Sequence, residues 1–370
     1  MKTKQTVLAS GLAAGLAVLM IAAGLLTGCS AGDDDPALPV EIDDLAGLKA
    51  IGGSAEGLRK NYKLMADIAG LDESIGISGT PFTGNFDGNG HKITLNITGG
   101  KTISSGGYTG TCAGLFAAIG GRGSVHDLTV EGTINISGVS GNVAAGGAAG
   151  AAVPGTVISR VASSVTVSAG GNGDVLAGGI VGAGQGTISN VYTTGNISAT
   201  TSGATEAYAG GIAGVTLGAV SYAYATGGIL AKGTGTGEGT GEGKITIGAG
   251  GIAGAANSAS VHHTVALNSG VEVEDSSSYN RCANRIASSP SGPRAARFSA
   301  NHGKADLSPT GGSHSPDKTA TGQDGKNVPV TPGSPYTAPN QDWWTGTGFS
   351  GANWAAVWEW DSAKGLPVLR

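Results

Sequence analysis

The chain has 370 residues, 69 of them glycine, with only 13% charged and 5% aromatic residues and a formal net charge of −5. An acidic balance without a basic stripe excludes nucleic acid and anionic lipid as electrostatic partners. Glycine without a strict three-residue period excludes collagen, and aliphatic residues recurring at matched positions argue against a disordered polymer.

Residues 1–29 read as a targeting segment rather than as part of the fold. Lys2 and Lys4 give a basic start, and an apolar run follows from Val7 to Leu26. Leu26-Thr27-Gly28-Cys29 then closes it. A membrane-spanning helix is the alternative for a run of about 20 residues. The closing tetrapeptide resembles the lipobox of bacterial lipoproteins. That resemblance implies cleavage before Cys29, lipidation of its thiol and acylation of its new amino group. Several acyl chains hold a protein on a membrane far more firmly than one. Ser30 stands where aspartate would retain a lipoprotein in the inner membrane of some enteric bacteria, so an outer-membrane or cell-surface location is expected. Residues 30–39, with Asp33-Asp34-Asp35-Pro36, read as a solvated spacer.

Residues 40–98 form an N-terminal capping segment. Ile42 to Ile51 has helical apolar spacing with acids near its start. Asn61 to Ile68 alternates as a strand, and Asp87-Gly88-Asn89-Gly90 is a turn between apolar runs. Such a segment covers the open edge of a stack.

Residues 99–287 are repetitive. A glycine-centred block occurs as Ala113-Gly114-Leu115-Phe116-Ala117, Gly146-Gly147-Ala148-Ala149-Gly150, Gly178-Gly179-Ile180-Val181-Gly182, Gly210-Gly211-Ile212-Ala213-Gly214 and Gly250-Gly251-Ile252-Ala253-Gly254. The leading residues are 33, 32, 32 and 40 apart, the last step being lengthened by the low-complexity loop 234–243. After each block comes an alternating run: Val125 to Ile136, Ile158 to Val167, Ile188 to Ile197, Val220 to Ile229 and Val261 to Val273. Alternation of Ile and Val with Ser, Asn and Thr marks half-buried strands. A fixed period of strand plus turn predicts an all-β, glycine-rich parallel β-helix or β-solenoid, each repeat making one coil. The structural glycines are Gly114, Gly146, Gly150, Gly178, Gly182, Gly210, Gly214, Gly250 and Gly254, expected to supply positive-φ corners and close backbone approach.

Residues 288–340 are poor in aliphatics and read as a low-complexity or disordered excursion. The strand pattern breaks at Ser288, and a compensated shift of reading frame would explain the break. Residues 341–370 hold all five tryptophans, Trp343, Trp344, Trp354, Trp358 and Trp360. They are expected to form a Trp-rich C-terminal cap; a sugar-stacking platform is the alternative.

The recurrent Gly-Gly-Ile-Ala-Gly and Gly-Gly-Ile-Val-Gly blocks resemble the GLUG motif of bacterial surface proteins and of the non-catalytic region of immunoglobulin A-cleaving metallopeptidases. Phe82 to Ile93, Trp358-Glu359-Trp360 and Gly365 to Leu369 look like the flanks of such regions. The resemblance implies a β-helical surface module and carries no activity.

The chemical motifs are weak. Gly248-Ala249-Gly250-Gly251-Ile252-Ala253 imitates a dinucleotide fingerprint, which needs a helix next, and the following residues are poor helix formers. Gly170 to Leu176 resembles half a calcium-binding turn without its tandem copy. None of His91, His126, His262, His263, His302 and His314 belongs to a His-Glu-x-x-His zinc motif. His126 and His262 share a repeat position taken elsewhere by Ser159, Ser189 and Ser221, four coils apart. Asp87, Asp127, Glu131 and Arg122 are the one charged cluster. Arg160, Asp174 and Glu206 are the only charged residues between Ile134 and Ile229. Cys112 and Cys282 lie about five coils apart, beyond the ~7 Å limit for a disulfide.

No residue qualifies as catalytic or metal-ligating, and no cofactor is expected. The expectation is a lipid-anchored, non-enzymatic structural or adhesive surface module. It is held to the membrane through Cys29 and faces a host or envelope glycan or protein. A carbohydrate-active β-helix enzyme and a passive envelope component are the alternatives.

Overall fold

The computed structural model describes residues 38–105, 107–203, 205–235, 246–275, 280–288, 296–314, 317–329 and 339–370. Leu26, Thr27, Gly28 and Cys29, together with most of the 234–243 loop, lie outside them. Among the described residues no helix is long and apolar enough to cross a membrane.

One full coil runs through the strands Val143–Gly146, Ala149–Ala152, Val157–Ser163 and Thr166–Gly171. The next repeats it as Val175–Gly178, Val181–Gly184, Thr187–Thr193 and Ile197–Thr201. Each strand pairs in parallel with its counterpart one coil away, building sheets of 17, seven and five strands among the described residues. The chain is therefore a parallel β-solenoid, as its repeat predicts.

Register shows why the sequence folds this way. Val125, Ile158, Ile188, Val220, Val261 and Phe298 pair rung to rung in one column. Ile134, Val167, Ile197, Ile229 and Val271 form another. All but Phe298 are at most 3% exposed. A strand hides every second side chain, so each alternating run contributes one rung to a continuous dry column, and each buried aliphatic adds about 1.5–3 kcal/mol.

Two expectations about the glycine blocks are corrected. Ala113 pairs with Ala145, not Gly146, and the column continues through Ala177, Ala209, Ala249 and Ala283. The first coil has one residue fewer in its corner, because Phe116 pairs with Ala149. None of the nine structural glycines has positive φ. Their role is close approach: a Cβ on Gly178 would sit 2.1 Å from the Val181 carbonyl oxygen, and one on Gly182 would sit 2.5 Å from the Ala145 nitrogen. Strands on either side of the corner pack backbone against backbone, and side chains are excluded there.

A sixth copy follows the five legible ones. Gly250 pairs with Asn284, and Ala253 bridges Ala287. Asn284-Arg285-Ile286-Ala287-Ser288 thus stands in the block position without a glycine. The stack also continues into the tract expected to be an excursion. Arg297–Ser299 and His302–Gly303 pair with Ser260–Ala266, and Lys326–Asn327 pairs with His302–Gly303. Asn301, Asp324 and Val328 are buried there.

At the N-terminal end, Val40–Ile42, Tyr62–Leu64 and Asn85–Asp87 pair in parallel and lead into Ser124–Val139. The capping segment is therefore built partly of rungs. Helix Leu45–Ala50, N-capped by Asp44 accepting from the Gly47 nitrogen at 2.7 Å, contributes Leu48 to the end of the core. At the C-terminal end, Trp344, Phe349, Trp358 and Leu366 pack with Tyr224, Val265, Leu267 and Val328. The Trp-rich cap covers the flank of several coils as well as the last rung.

Candidate functional site

One corner of the solenoid gathers the most convergent charged side chains around Asp127. Asp127, Arg160, Asn190, Tyr222, His263 and Ala300 all have φ between 50 and 54°. Their neighbours His126, Ser159, Ser189, Ser221, His262 and Ser299 pair rung to rung. These six therefore stack as a left-handed column, and the positive-φ corner is made by non-glycine residues. An extended strand sends consecutive side chains to opposite faces. Here they converge: His126 Nδ1 lies 2.7 Å from Asp127 Oδ2, and His262 Nδ1 lies 3.2 Å from His263 Nδ1.

At the first rungs of this corner, Asp87, His126 and Asp127 place three ligand atoms within 4.8 Å of one another. Arg160, one rung on, donates Nη2 to Asp127 Oδ2 at 2.5 Å and Nε to the other oxygen. His126 Nε2 is 3.0 Å from Asn85 Oδ1, and its Nδ1 is 3.7 Å from Asp87 Oδ1. Burial raises the Asp127 pKa, but Arg160 and then His126 outweigh it and hold the carboxyl below its ordinary range. Both Asp127 oxygens are thus occupied, so a cation would have to displace a bidentate guanidinium. The arrangement is a satisfied charge network, not a poised base.

Sequence reading grouped Asp87 and Asp127 correctly and included two residues that stand apart. Glu131 pairs instead with Lys92 at 3.2 Å and accepts from Thr94 Oγ1 at 2.9 Å; Arg122 is exposed. It missed His126 and Arg160 as members. Arg160 is 33 residues from Asp127, and the repeat period itself was the signal that would place them on adjacent rungs.

A second polar column runs through Asn142, Asp174 and Glu206. Asn142 Oδ1 accepts from the Asp174 nitrogen at 3.0 Å, and Asp174 Oδ1 from the Glu206 nitrogen at 3.1 Å. Burial, then the Asp174 charge, raises the Glu206 pKa. In the calcium-like stretch, Asn172 Oδ1 accepts from the Gly141 nitrogen at 2.7 Å. Side-chain oxygens of Asn172 and Asp174 bind neighbouring backbone there. The dinucleotide-like stretch continues into strand Ala253–Ala256 where a phosphate site needs a helix.

Cys112 and Cys282 do not form a disulfide with each other. They occupy one column, five rungs apart through Ala144, Leu176, Tyr208 and Gly248.

The aromatic flank is the third feature. Tyr192 and Tyr224 stack with centroids 5.0 Å apart and planes at 3°. The Tyr224 hydroxyl donates to the Pro367 carbonyl at 2.7 Å, and Trp358 Nε1 donates to Asn190 Oδ1 at 3.2 Å. Trp344 and Trp358 are buried, whereas Trp343, Trp354 and Trp360 are partly exposed. They do not form one open tryptophan platform.

No family model and no curated protein matches the chain. Among solved structures, it is similar to a crystal structure described as a candidate immunoglobulin A1 protease from Bacteroides ovatus. The TM-score is 0.60 and the identity 16%, over 90% of this chain and 92% of that one. At that identity the likeness is one of fold.

Proposed function

We propose that the protein is a lipid-anchored bacterial envelope lipoprotein of the GLUG-motif kind, presenting its β-solenoid at the cell surface as a structural or adhesive module. Cys29 is the lipidated residue in this reading, and Leu26, Thr27 and Gly28 are the residues before the cleavage point. The observation that carries the module role is the stack itself. Parallel rungs expose columns of short polar side chains, while the most convergent charged group, around Asp127, is internally satisfied. Repeated weak contacts along such a face gain avidity without any single strong site. The fold likeness to a chain described as a candidate immunoglobulin A1 protease fits a module of this shape. No peptidase activity is carried over, since the sequence lacks a His-Glu-x-x-His motif.

Two measurements on cells test this. The protein should partition into detergent and lose that behaviour in Cys29→Ser. Protease added to intact cells should remove it; survival of the protein on intact cells would overturn surface presentation.

The stacked pair Asp174 and Glu206 favours a second reading, a carbohydrate-active enzyme, because a carboxyl with a raised pKa beside another carboxylate suits acid catalysis. Release of reducing sugar that disappears in Glu206→Gln would establish it.

A further inference from the structure

We propose that the slot beside Tyr192 is a subsite for one neutral pyranose ring of a glycan, a reading that rests on the presentation role above. The slot arises from an interrupted aromatic column. Thr129, Ala162, Tyr192, Tyr224 and Val265 pair rung to rung on the outer flank. Tyr192 stacks on Tyr224 through one ring face. Its other face looks along the column toward Ala162, whose side chain is a single methyl. Adjacent rungs lie ~4.8 Å apart, so the small side chain of Ala162, itself only 4% exposed, leaves space about one ring thick beside Tyr192.

The gap is bounded and rigid. The loop and strand around Lys364 and Leu366 close one side, leaving about 210 Å³. That is smaller than the roughly 300–1,000 Å³ of pockets for drug-sized ligands, and it suits a single ring. Tyr224, 1% exposed and tied to Pro367, fixes the platform from behind, so stacking requires little ordering.

The chemistry of the rim selects a sugar over a planar apolar ring. Thr129, Ser164 and Thr194 bring hydroxyls to the slot, and these suit the ring hydroxyls of a pyranose whose apolar C–H face lies on Tyr192. Lys364 brings an ammonium, but its Nζ lies 2.9 Å from Asp361 Oδ2, so the local charge is balanced. A carboxylated sugar therefore gains little, and the neutral class is favoured.

The test is saturation-transfer NMR on the purified protein with the methyl glycosides of glucose, galactose, N-acetylglucosamine and glucuronic acid. At least one neutral glycoside should receive saturation on the protons of one ring face. Tyr192→Ala should weaken it about tenfold or more. Ala162→Phe fills the slot without removing any platform residue, and should abolish the signal while the circular dichroism spectrum still shows the native fold. No transfer to any neutral glycoside, transfer to the glucuronide alone, or transfer that survives Ala162→Phe would each overturn the subsite. Because the experiment uses isolated protein, its failure leaves the surface-shaving result standing, and the converse also holds.

Discussion

Arg285 and Asp324 form an ion pair, Nε to Oδ2 at 3.0 Å, in which both side chains are 0% exposed. Arg285 follows Asn284, which pairs with Gly250, so it stands where earlier coils carry the second glycine of the block. Its guanidinium also donates to the carbonyls of Gly303, Lys304 and Gly325 and to Asn327 Oδ1. The Asp324 Oδ1 accepts from the Arg285 backbone nitrogen at 3.1 Å. The glycine column thus ends on a charge that gathers the last partial coil around it.

Breaking that pair should be costly. Arg285→Met removes the guanidinium and leaves the buried Asp324 carboxylate with only the backbone nitrogen of residue 285 and His314 Nε2, 3.6 Å away, beside it, which costs about 3–5 kcal/mol. Denaturant unfolding monitored at the tryptophans would show it. A loss below about 1 kcal/mol would mean that the last coil is not held this way.

The close-approach role of the repeat glycines predicts a sharp positional contrast. Gly178→Ala and Gly182→Ala place a methyl against backbone at 2.1 and 2.5 Å, whereas a Cβ on Gly53 meets nothing within 4 Å. The first two should destabilise by more than about 4 kcal/mol, and Gly53→Ala should stay within about 0.5 kcal/mol. Thermal melts of the three variants give the comparison.

Acid sensitivity should trace in part to His302. It is 4% exposed, its Nδ1 has no partner, and its ring meets Trp343 edge-on at 4.9 Å. Burial pushes its pKa down to about 4 from an ordinary 6.5. The unfolded chain then binds the extra proton first, so stability falls as pH drops from about 6.5 to about 4, by up to about 3 kcal/mol. His302→Phe keeps the ring contact and removes the titration. Its stability should be flatter across that window; an unchanged pH profile would assign the acid sensitivity elsewhere.

The two cysteines should react differently. Cys112 is buried and its thiol is pushed up to about 12, while Cys282 is partly exposed. A thiol reagent at neutral pH should label Cys282 and leave Cys112 untouched until denaturant is added. Fast labelling of Cys112 in the native protein would contradict its place in the stack.

The parallel stack was legible because its signal is periodic: Ile158, Ile188 and Val220 recur at matched offsets and become one column. What escaped sequence reading lies where the period hides or the residue type misleads. Arg285 in a glycine position concealed the sixth copy. Asn301, Asp324 and Val328 anchor a tract whose composition suggests disorder, since single buried anchors barely change composition. The left-handed corner went unseen because Arg, Tyr and Ala, which have no preference for it, alternate in the column with Asp, Asn and His, which do. The same φ across six rungs points to pairing with neighbouring coils, not residue preference, as its cause. The partnership of Asp127 with Arg160 is a contact between rungs, which only the 33-residue offset of the repeat could have shown.

The central claim is the rung-by-rung stack, and a spin-label distance tests it most directly. Asn135, Ser168, Ser198, Leu230 and Glu272 pair in sequence, so the exposed ends of this column are four rungs apart. Labels at Asn135→Cys and Glu272→Cys, with Cys29 and Cys282 replaced by serine, should give one narrow peak near 20 Å, about four times ~4.8 Å. A broad distribution, or a peak beyond about 35 Å, would contradict coil-on-coil stacking.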